Sequence, residues 1–518
     1  MLATSMTGAL VGVEAHLVRV EADTAAGFPS FTMVGLPDSA VKESESRIRA
    51  ALRNCGFDFK WDRRITVNLA PAGLRKTGSS FDLATAMGLL AADGVVPSGR
   101  LASLLLVGEL ALDGSLRAVP GVLPLAIMGR RENLTAAIVP EDNACEAAVV
   151  AGLKVYGARS LPQAVELATA TTPPPAVSAP PRTGPPPAQP DLADVRGQLG
   201  ARRALEIAAA GAHNLLLVGP PGAGKTMLAR CLPGLLPPLT IEEAIETSSI
   251  HSAWGARLDG LLVHRPFRSP HHTASEGALV GGGSFPRPGE VSLAHNGVLF
   301  LDEVAEFRRG PLEALRQPLE EGFVMVSRVR SSARMPARFM LVAAMNPCPC
   351  GMLGDPRRLC ECTHHQVRAY RERLSGPLLD RIDLHVEVPA VPFSEMVGPS
   401  GEDSAAVASR VAQARARQSQ RGHSLSVDGP AVLNGHLAAA HLRRVTRLQS
   451  DALALLAAAM DRLALTARGH DRVLKVARTI ADLGGATDVS VQHVAEALHF
   501  RPLVGSARLA GRNQSQLV

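Results

Sequence analysis

Leu215-Leu216-Leu217-Val218 runs straight into Gly219-Pro220-Pro221-Gly222-Ala223-Gly224-Lys225-Thr226, and a helix-forming stretch from Met227 to Cys231 follows. This is an apolar strand, a G-x-x-x-x-G-K-[ST] loop and a helix in the order a phosphate-binding loop requires. The glycines let successive backbone N–H groups curl around phosphate oxygens, Lys225 reaches the β- and γ-phosphates, and the Thr226 hydroxyl ligates Mg²⁺. ATP with Mg²⁺ is the expected ligand of all eight loop residues.

A second apolar run, Gly297-Val298-Leu299-Phe300-Leu301, delivers Asp302 and Glu303 side by side at its end. Open α/β sheets place their chemistry at the carboxyl ends of strands. Asp302 is therefore the expected outer ligand for Mg²⁺, and Glu303 is free to polarise the water that attacks the γ-phosphate. With Lys225, the acid pair points to ATP hydrolysis and not to binding alone.

The 518 residues have room for two to four domains, and 46% apolar residues exclude a wholly disordered chain. Lys and Arg number 54 against 48 Asp and Glu, a balance of +6 that admits a polyanionic partner. Aromatics are only 3%, with Trp61 and Trp254 the sole tryptophans, so a grip on backbone phosphates fits better than stacking on bases. No segment reaches the roughly 18 to 20 uncharged apolar residues of a membrane span, and Met1 to Val20 lacks a basic stretch before an apolar one. A cytoplasmic protein without membrane contact is expected. Seven cysteines in a chain this long do not make a secreted disulfide framework.

From Thr171 to Pro190, nine of twenty residues are proline, a composition that favours extended chain and cannot build a core. Residues 169–190 are thus a linker between an amino-terminal domain, 1–168, and a nucleotide-binding domain, 191–390. In the first, strand-like runs (Ile65–Leu69, Leu104–Gly108, Ala136–Val139) alternate with helix-like ones (Ser39–Asn54, Phe81–Ala92), predicting a mixed α/β fold. In the second, Leu215–Val218, Val298–Leu301, Phe339–Ala344 and Leu384–Val388 predict a parallel sheet with helices on both faces. Beyond it the pattern turns helical over Asp403–Arg421, Thr446–Leu463, Gly469–Leu483 and Ser490–Leu498, predicting an α-helical lid, 391–504, before a polar tail, 505–518.

Cys348, Cys350, Cys360 and Cys362 form two C-x-C pairs that close a short loop. Four thiolates in tetrahedral array suit Zn²⁺; reduced structural cysteines are the alternative, and His364 or His365 could replace one thiol. Phe323–Ser327 and Arg334–Met340 flank Arg328-Val329-Arg330-Ser331-Ser332-Ala333, which reads as a hairpin tipped with arginines suited to DNA phosphates. Arg410, Arg415, Arg417 and Arg421 form a basic helix face, for which a solvated surface is preferred over a nucleic-acid contact.

Three strings, Val342–Gly351 (VAAMNPCPCG), Ser375–Asp383 (SGPLLDRID) and Arg265–Thr273 (RPFRSPHHT), resemble the magnesium-chelatase-like AAA+ ATPases of the ComM (YifB) type. Gly35-Leu36-Pro37-Asp38 and Val67-Asn68-Leu69-Ala70-Pro71 extend the resemblance through nearly the whole chain. It implies ring oligomers, usually hexamers, with ATP between subunits, and a DNA branch-migration helicase serving recombination in natural transformation. It also implies that Asn346 is sensor 1, orienting the attacking water with Glu303, and that Arg381 is the arginine finger, with Arg371 and Arg373 as rivals. A surface turn in which Arg381 pairs with Asp380 or Asp383 is the bland alternative. Arg468 resembles sensor 2, a nucleotide contact from the lid, against a solvated helix-end arginine. Related helicases line the ring pore with a hairpin at the position of Arg328 and Arg330. A chelatase-like ATPase that remodels protein partners or drives metal insertion is the competing expectation.

The amino-terminal domain resembles the Lon-protease fold through Gly78–Asp82, Gly108–Gly114 and Val119–Leu123. Ser80 falls where Lon has its nucleophile, but Leu123 occupies the position of the base lysine and cannot take a proton. An inactive protease domain is expected, with Lys76 too local to replace the missing base.

Overall fold

The computed structural model describes residues 1–182, 189–283, 286–328, 331–355, 358–423, 432–463 and 465–501. The amino-terminal domain is built on a seven-stranded mixed sheet in the order Ser30–Val34, Arg64–Ala70, Glu14–Ala25, Leu2–Val11, Leu104–Leu106, Ala136–Pro140, Lys154–Ala158. Its two longest strands, Leu2–Val11 and Glu14–Ala25, form one antiparallel hairpin from Leu2↔Asp23 to Val11↔Glu14. Val18, Val20 and Ala22 alternate into the core, as the period of a strand dictates. Helix Asp82–Ala92 is buried along its whole length between this sheet and its neighbours. The helix-like run from Ser39 divides at Glu43 into Ser39–Lys42 and Ser44–Asn54.

The second domain holds five parallel strands in the order Phe267–Arg268, Val298–Leu301, Met340–Met345, Leu215–Val218, Leu384–Glu387. Every residue of Leu215–Val218, Val298–Leu301 and Met340–Met345 is buried, which is why these strands read as unbroken apolar runs. Alternation divides them between two cores. Leu215, Leu217, Phe300, Val342 and Ala344 face helices Leu199–Gly211 and Lys225–Leu235; Leu216, Val218, Leu299, Leu301 and Leu341 face Leu312, Leu315 and Leu378.

The carboxyl-terminal part is helical: Ser404–His423, Ala439–Val445, Ser450–Leu463, Ala467–Leu483 and Val491–His499. It shares the first core, with Val411, Leu456, Leu474 and Val476 joining the cluster around Leu205 and Leu215. The basic face is a correction. Arg415 is half-buried and donates to Ala209 O at 2.9 Å, Arg410 pairs with Glu206 and Glu402, Arg417 donates to Asp482 O at 2.6 Å, and Arg421 grips Asp482 and Asn434. Arg410 and Arg415 thus reach helix Leu199–Gly211 of the sheet domain, while Arg417 and Arg421 reach Asp482 of helix Ala467–Leu483, so these cations tie helix Ser404–His423 to its neighbours and do not form a solvated surface.

Candidate functional site

The carboxyl ends of three parallel strands bring the candidate nucleotide site together. Strand Leu215–Val218 feeds the glycine-rich loop, which turns into helix Lys225–Leu235 through Gly224, the N-cap residue, at φ 86°. A Cβ at Gly222 or Gly224 would meet only open space, so the concave face of the loop is clear for a ligand, and both residues hold positive φ. Lys225 is buried, and its Nζ donates to Gly219 O (2.7 Å), Pro220 O (2.9 Å) and Asn346 Oδ1 (3.2 Å). Burial lowers the Lys225 pKa, against the pull of Asp302 and Glu303.

Thr226 Oγ1 donates to Asp302 Oδ2 at 2.7 Å. A hydroxyl and a carboxylate side by side are hard oxygen donors, the set that fits Mg²⁺. Glu303 sits at φ 49°, a left-handed conformation rare outside glycine, and its N–H donates to Asp302 Oδ1 at 3.0 Å. His272 Nδ1 stands 3.8 Å from Glu303 Oε2. His272 lies within the string Arg265–Thr273 quoted above, yet spacing alone gave it no role, because it sits in a turn beyond the strand Phe267–Arg268, which is only two residues long.

The structure thus joins Lys225, Thr226, Asp302 and Asn346 directly. Arg381 and Arg468 lie elsewhere: both approach Glu320, Arg381 Nη2 in a hydrogen-bonded ion pair and Arg468 Nη2 at 4.0 Å, while Arg381 Nη1 donates to Pro377 O at 2.8 Å. The Arg381 side chain is 11% exposed, and its Nε is buried without a hydrogen-bond partner among the described residues. Of the rivals, Arg371 Nε donates to Pro347 O at 3.2 Å and Arg373 pairs with Glu306 at 2.8 Å. Glu320 was missed from sequence because it is remote from both arginines along the chain.

The four cysteine sulfurs lie within 4.8 Å of one another. Cys348 Sγ is 3.4 Å from Cys350 Sγ and 3.7 Å from Cys360 Sγ, and Cys350 Sγ is 3.6 Å from Cys360 Sγ. Tetrahedral ligation at about 2.3 Å places sulfurs about 3.8 Å apart, so the set fits Zn²⁺. The Met352 N–H, then the neighbouring thiols, draw the Cys350 thiol down to about 6.

The hairpin pairs Phe323–Arg328 with Ser331–Pro336, starting its second strand earlier than expected; Met340 belongs to the central strand. Arg328 pairs in register with Ser331, and Arg330 lies outside the described residues. In the amino-terminal domain Ser79 and Ser80 line a cleft of about 1430 Å³ that Trp254, Arg257 and Arg287 close from the other domain. Leu123 is fully buried, and the Lys76 ammonium donates to the carbonyls of Gly35 (2.9 Å) and Pro71.

A phosphate-binding loop opposite paired strand-end carboxylates on a parallel sheet, with a helical domain beyond it, defines the class: a P-loop protein of the AAA+ kind. Comparison with known families agrees. The model described as "Magnesium chelatase, subunit ChlI" matches residues 191–396, "Subunit ChlI of Mg-chelatase" matches 20–143, and "Magnesium chelatase, subunit ChlI C-terminal" matches 401–501. Competence protein ComM of Haemophilus influenzae is 45% identical over 511 residues, covering 97% of this chain and 98% of that protein. Protein YifB of Escherichia coli is 45% identical over 502 residues and 96% of each chain. Lon protease 2 of Bacillus subtilis is 31% identical over 144 residues, a quarter (25%) of each chain. The chain belongs to the ComM/YifB family of magnesium-chelatase-like AAA+ proteins. Among the described residues no helix is long and apolar enough to cross a membrane.

Proposed function

We propose that this chain is an ATP-hydrolysing ring motor, a hexamer in the cytoplasm, that moves branched or duplex DNA without regard to sequence, as branch migration requires. The observation that carries the hydrolytic part is the convergence of Lys225, Thr226, Asp302 and Asn346 through direct hydrogen bonds. Mg²⁺, when bound, supplies positive charge to the phosphate oxygens. Thr226 and Asp302 would hold it. Lys225 exchanges its carbonyl partners for the β- and γ-phosphates, Glu303 polarises the attacking water, and the Asn346 amide orients that water. Arg381 acts as the finger on a neighbouring subunit's phosphate, and Arg468 contacts nucleotide from the helical domain. Both must leave Glu320 to do so, which makes ring assembly a condition for turnover. Zn²⁺ on Cys348, Cys350, Cys360 and Cys362 is the structural metal of this reading.

The DNA part rests on the relative named a competence protein and on the hairpin carrying Arg328 and Arg330. The amino-terminal domain does not cleave peptides in this account, since Leu123 offers no base and Lys76 is turned onto carbonyls. The family models are described after magnesium chelatase, which favours remodelling of protein partners or metal insertion as the second reading. Steady-state ATP turnover with and without single-stranded, duplex and branched DNA separates the two. Stimulation by DNA supports the motor; indifference to all three favours the chelatase-like reading.

A further inference from the structure

The loop between Asn346 and helix His364–Arg371 has almost no core of its own. From residue 349 to residue 363 only Gly351 is buried among the described residues, and Leu359 is 93% exposed. A segment without apolar burial needs another staple to hold one conformation, and a metal ligated by thiolates is such a staple. Gly351 is the point at which this loop meets the nucleotide site. It sits at φ 80°, and a Cβ there would lie 2.7 Å from Pro221 Cδ and 3.8 Å from Asn346 Cγ. Its N–H donates to Cys348 O at 3.0 Å, so the turn presented to Pro221 is the turn that joins two of the thiols. Pro221 belongs to the glycine-rich loop, and Asn346 accepts from Lys225.

We propose that the four-cysteine knuckle is a metal-dependent clamp on the nucleotide loop: Zn²⁺ on Cys348, Cys350, Cys360 and Cys362 fixes the Gly351 turn against Pro221 and Asn346, and thereby sets nucleotide affinity. The inference rests on the zinc and nucleotide readings given above. It couples two sites that share no ligand. Loss of the metal frees the turn, removes the support behind Pro221 and loosens the loop that must present its N–H groups to phosphate. A side chain at position 351 does the same from the other side, by pushing on Pro221 with the metal in place.

The test measures zinc content by elemental analysis and affinity for a fluorescent ATP analogue on the full chain, untreated, stripped by a soft-metal chelator, reloaded with Zn²⁺, and as Gly351→Ala, with circular dichroism to monitor folding. One zinc per chain is expected. Stripping should weaken nucleotide binding by about tenfold or more and reloading should restore it; Gly351→Ala should keep its zinc and lose a similar factor, the scale of overpacking a close contact. Should chelation unfold the chain, the Gly351→Ala comparison decides. Unchanged nucleotide affinity in a folded, zinc-loaded Gly351→Ala protein overturns the clamp while leaving the zinc site standing. Protein purified without chelators that holds no metal overturns the zinc reading and the clamp together. Failure of every form, untreated included, to bind the ATP analogue overturns the nucleotide reading instead.

Discussion

Glu146 gives the sharpest test of how the two domains are joined. It lies on helix Glu141–Ala148 and is buried where the amino-terminal domain meets Ser252 of helix Ile241–Trp254. Ser252 O accepts from Gly121 N at 2.9 Å and Ser252 Oγ from Leu123 N at 3.4 Å; Asn143 Nδ2 donates to Glu146 Oε1 at 2.6 Å. Burial pushes the Glu146 carboxyl from 4.5 up to about 7, against the pull of the Ser252 hydroxyl and the Asn143 amide. The unfolded chain ionises near 4.5 and the folded chain only near 7, so this group's contribution is fully present below 4.5 and lost as pH rises through about 7. At about 1.4 kcal/mol for each tenfold in proton affinity, the loss is about 3 kcal/mol. Glu146→Gln keeps an acceptor toward Asn143, adds a donor toward Ser252 and carries no charge. Denaturant unfolding followed by tryptophan fluorescence from pH 4 to pH 8.5 should show the wild type losing about 3 kcal/mol relative to the variant. Parallel stability curves for the two proteins across that range would refute the placement of Glu146.

Lys225→Ala should abolish nucleotide binding, whereas Glu303→Gln should bind ATP with near-normal affinity and lose turnover; normal steady-state hydrolysis by Glu303→Gln contradicts its role. Arg381→Ala should bind ATP yet hydrolyse it about 10³-fold or more slowly, and mixing it with Lys225→Ala should restore some activity in mixed rings if the finger acts between subunits. Asp482, nearly fully buried, accepts from Arg478 (2.9 Å), Arg421 (2.7 Å) and Asn434 (2.8 Å), so Asp482→Ala takes the carboxylate from the buried Arg478 guanidinium and should cost about 3–5 kcal/mol in denaturant unfolding.

The candidate nucleotide site could be read as one cluster because its residues are local in sequence: one loop and two strand ends, each a contiguous apolar run with its polar residue at the end. Parallel strand order then brings Lys225, Thr226, Asp302 and Asn346 together without further information. The Leu2–Ala25 hairpin was missed, since its buried positions include Ser5, Thr7 and Gly8, which mute the apolar alternation. The face from Arg410 to Arg421 was misread for a different reason. Its partners Glu206, Ala209 and Asp482 are distant along the chain, and nothing in a helical charge pattern distinguishes water from a buried carboxylate. Glu320 and His272 were illegible on the same ground, each acquiring significance only from what the fold sets beside it.

The central claim is that ATP hydrolysis is coupled to movement on DNA. Its most direct test is displacement of a labelled strand from a branched DNA junction by wild-type protein with ATP and Mg²⁺, beside Glu303→Gln and an Arg328→Ala, Arg330→Ala double variant. The wild type should displace the strand irrespective of its sequence, with binding that falls steeply as salt rises; Glu303→Gln should bind and not displace, and the double variant should hydrolyse ATP at its basal rate without displacing. A wild-type protein that turns over ATP but never displaces a strand contradicts the account, and a double variant as active as wild type contradicts the assignment of the hairpin.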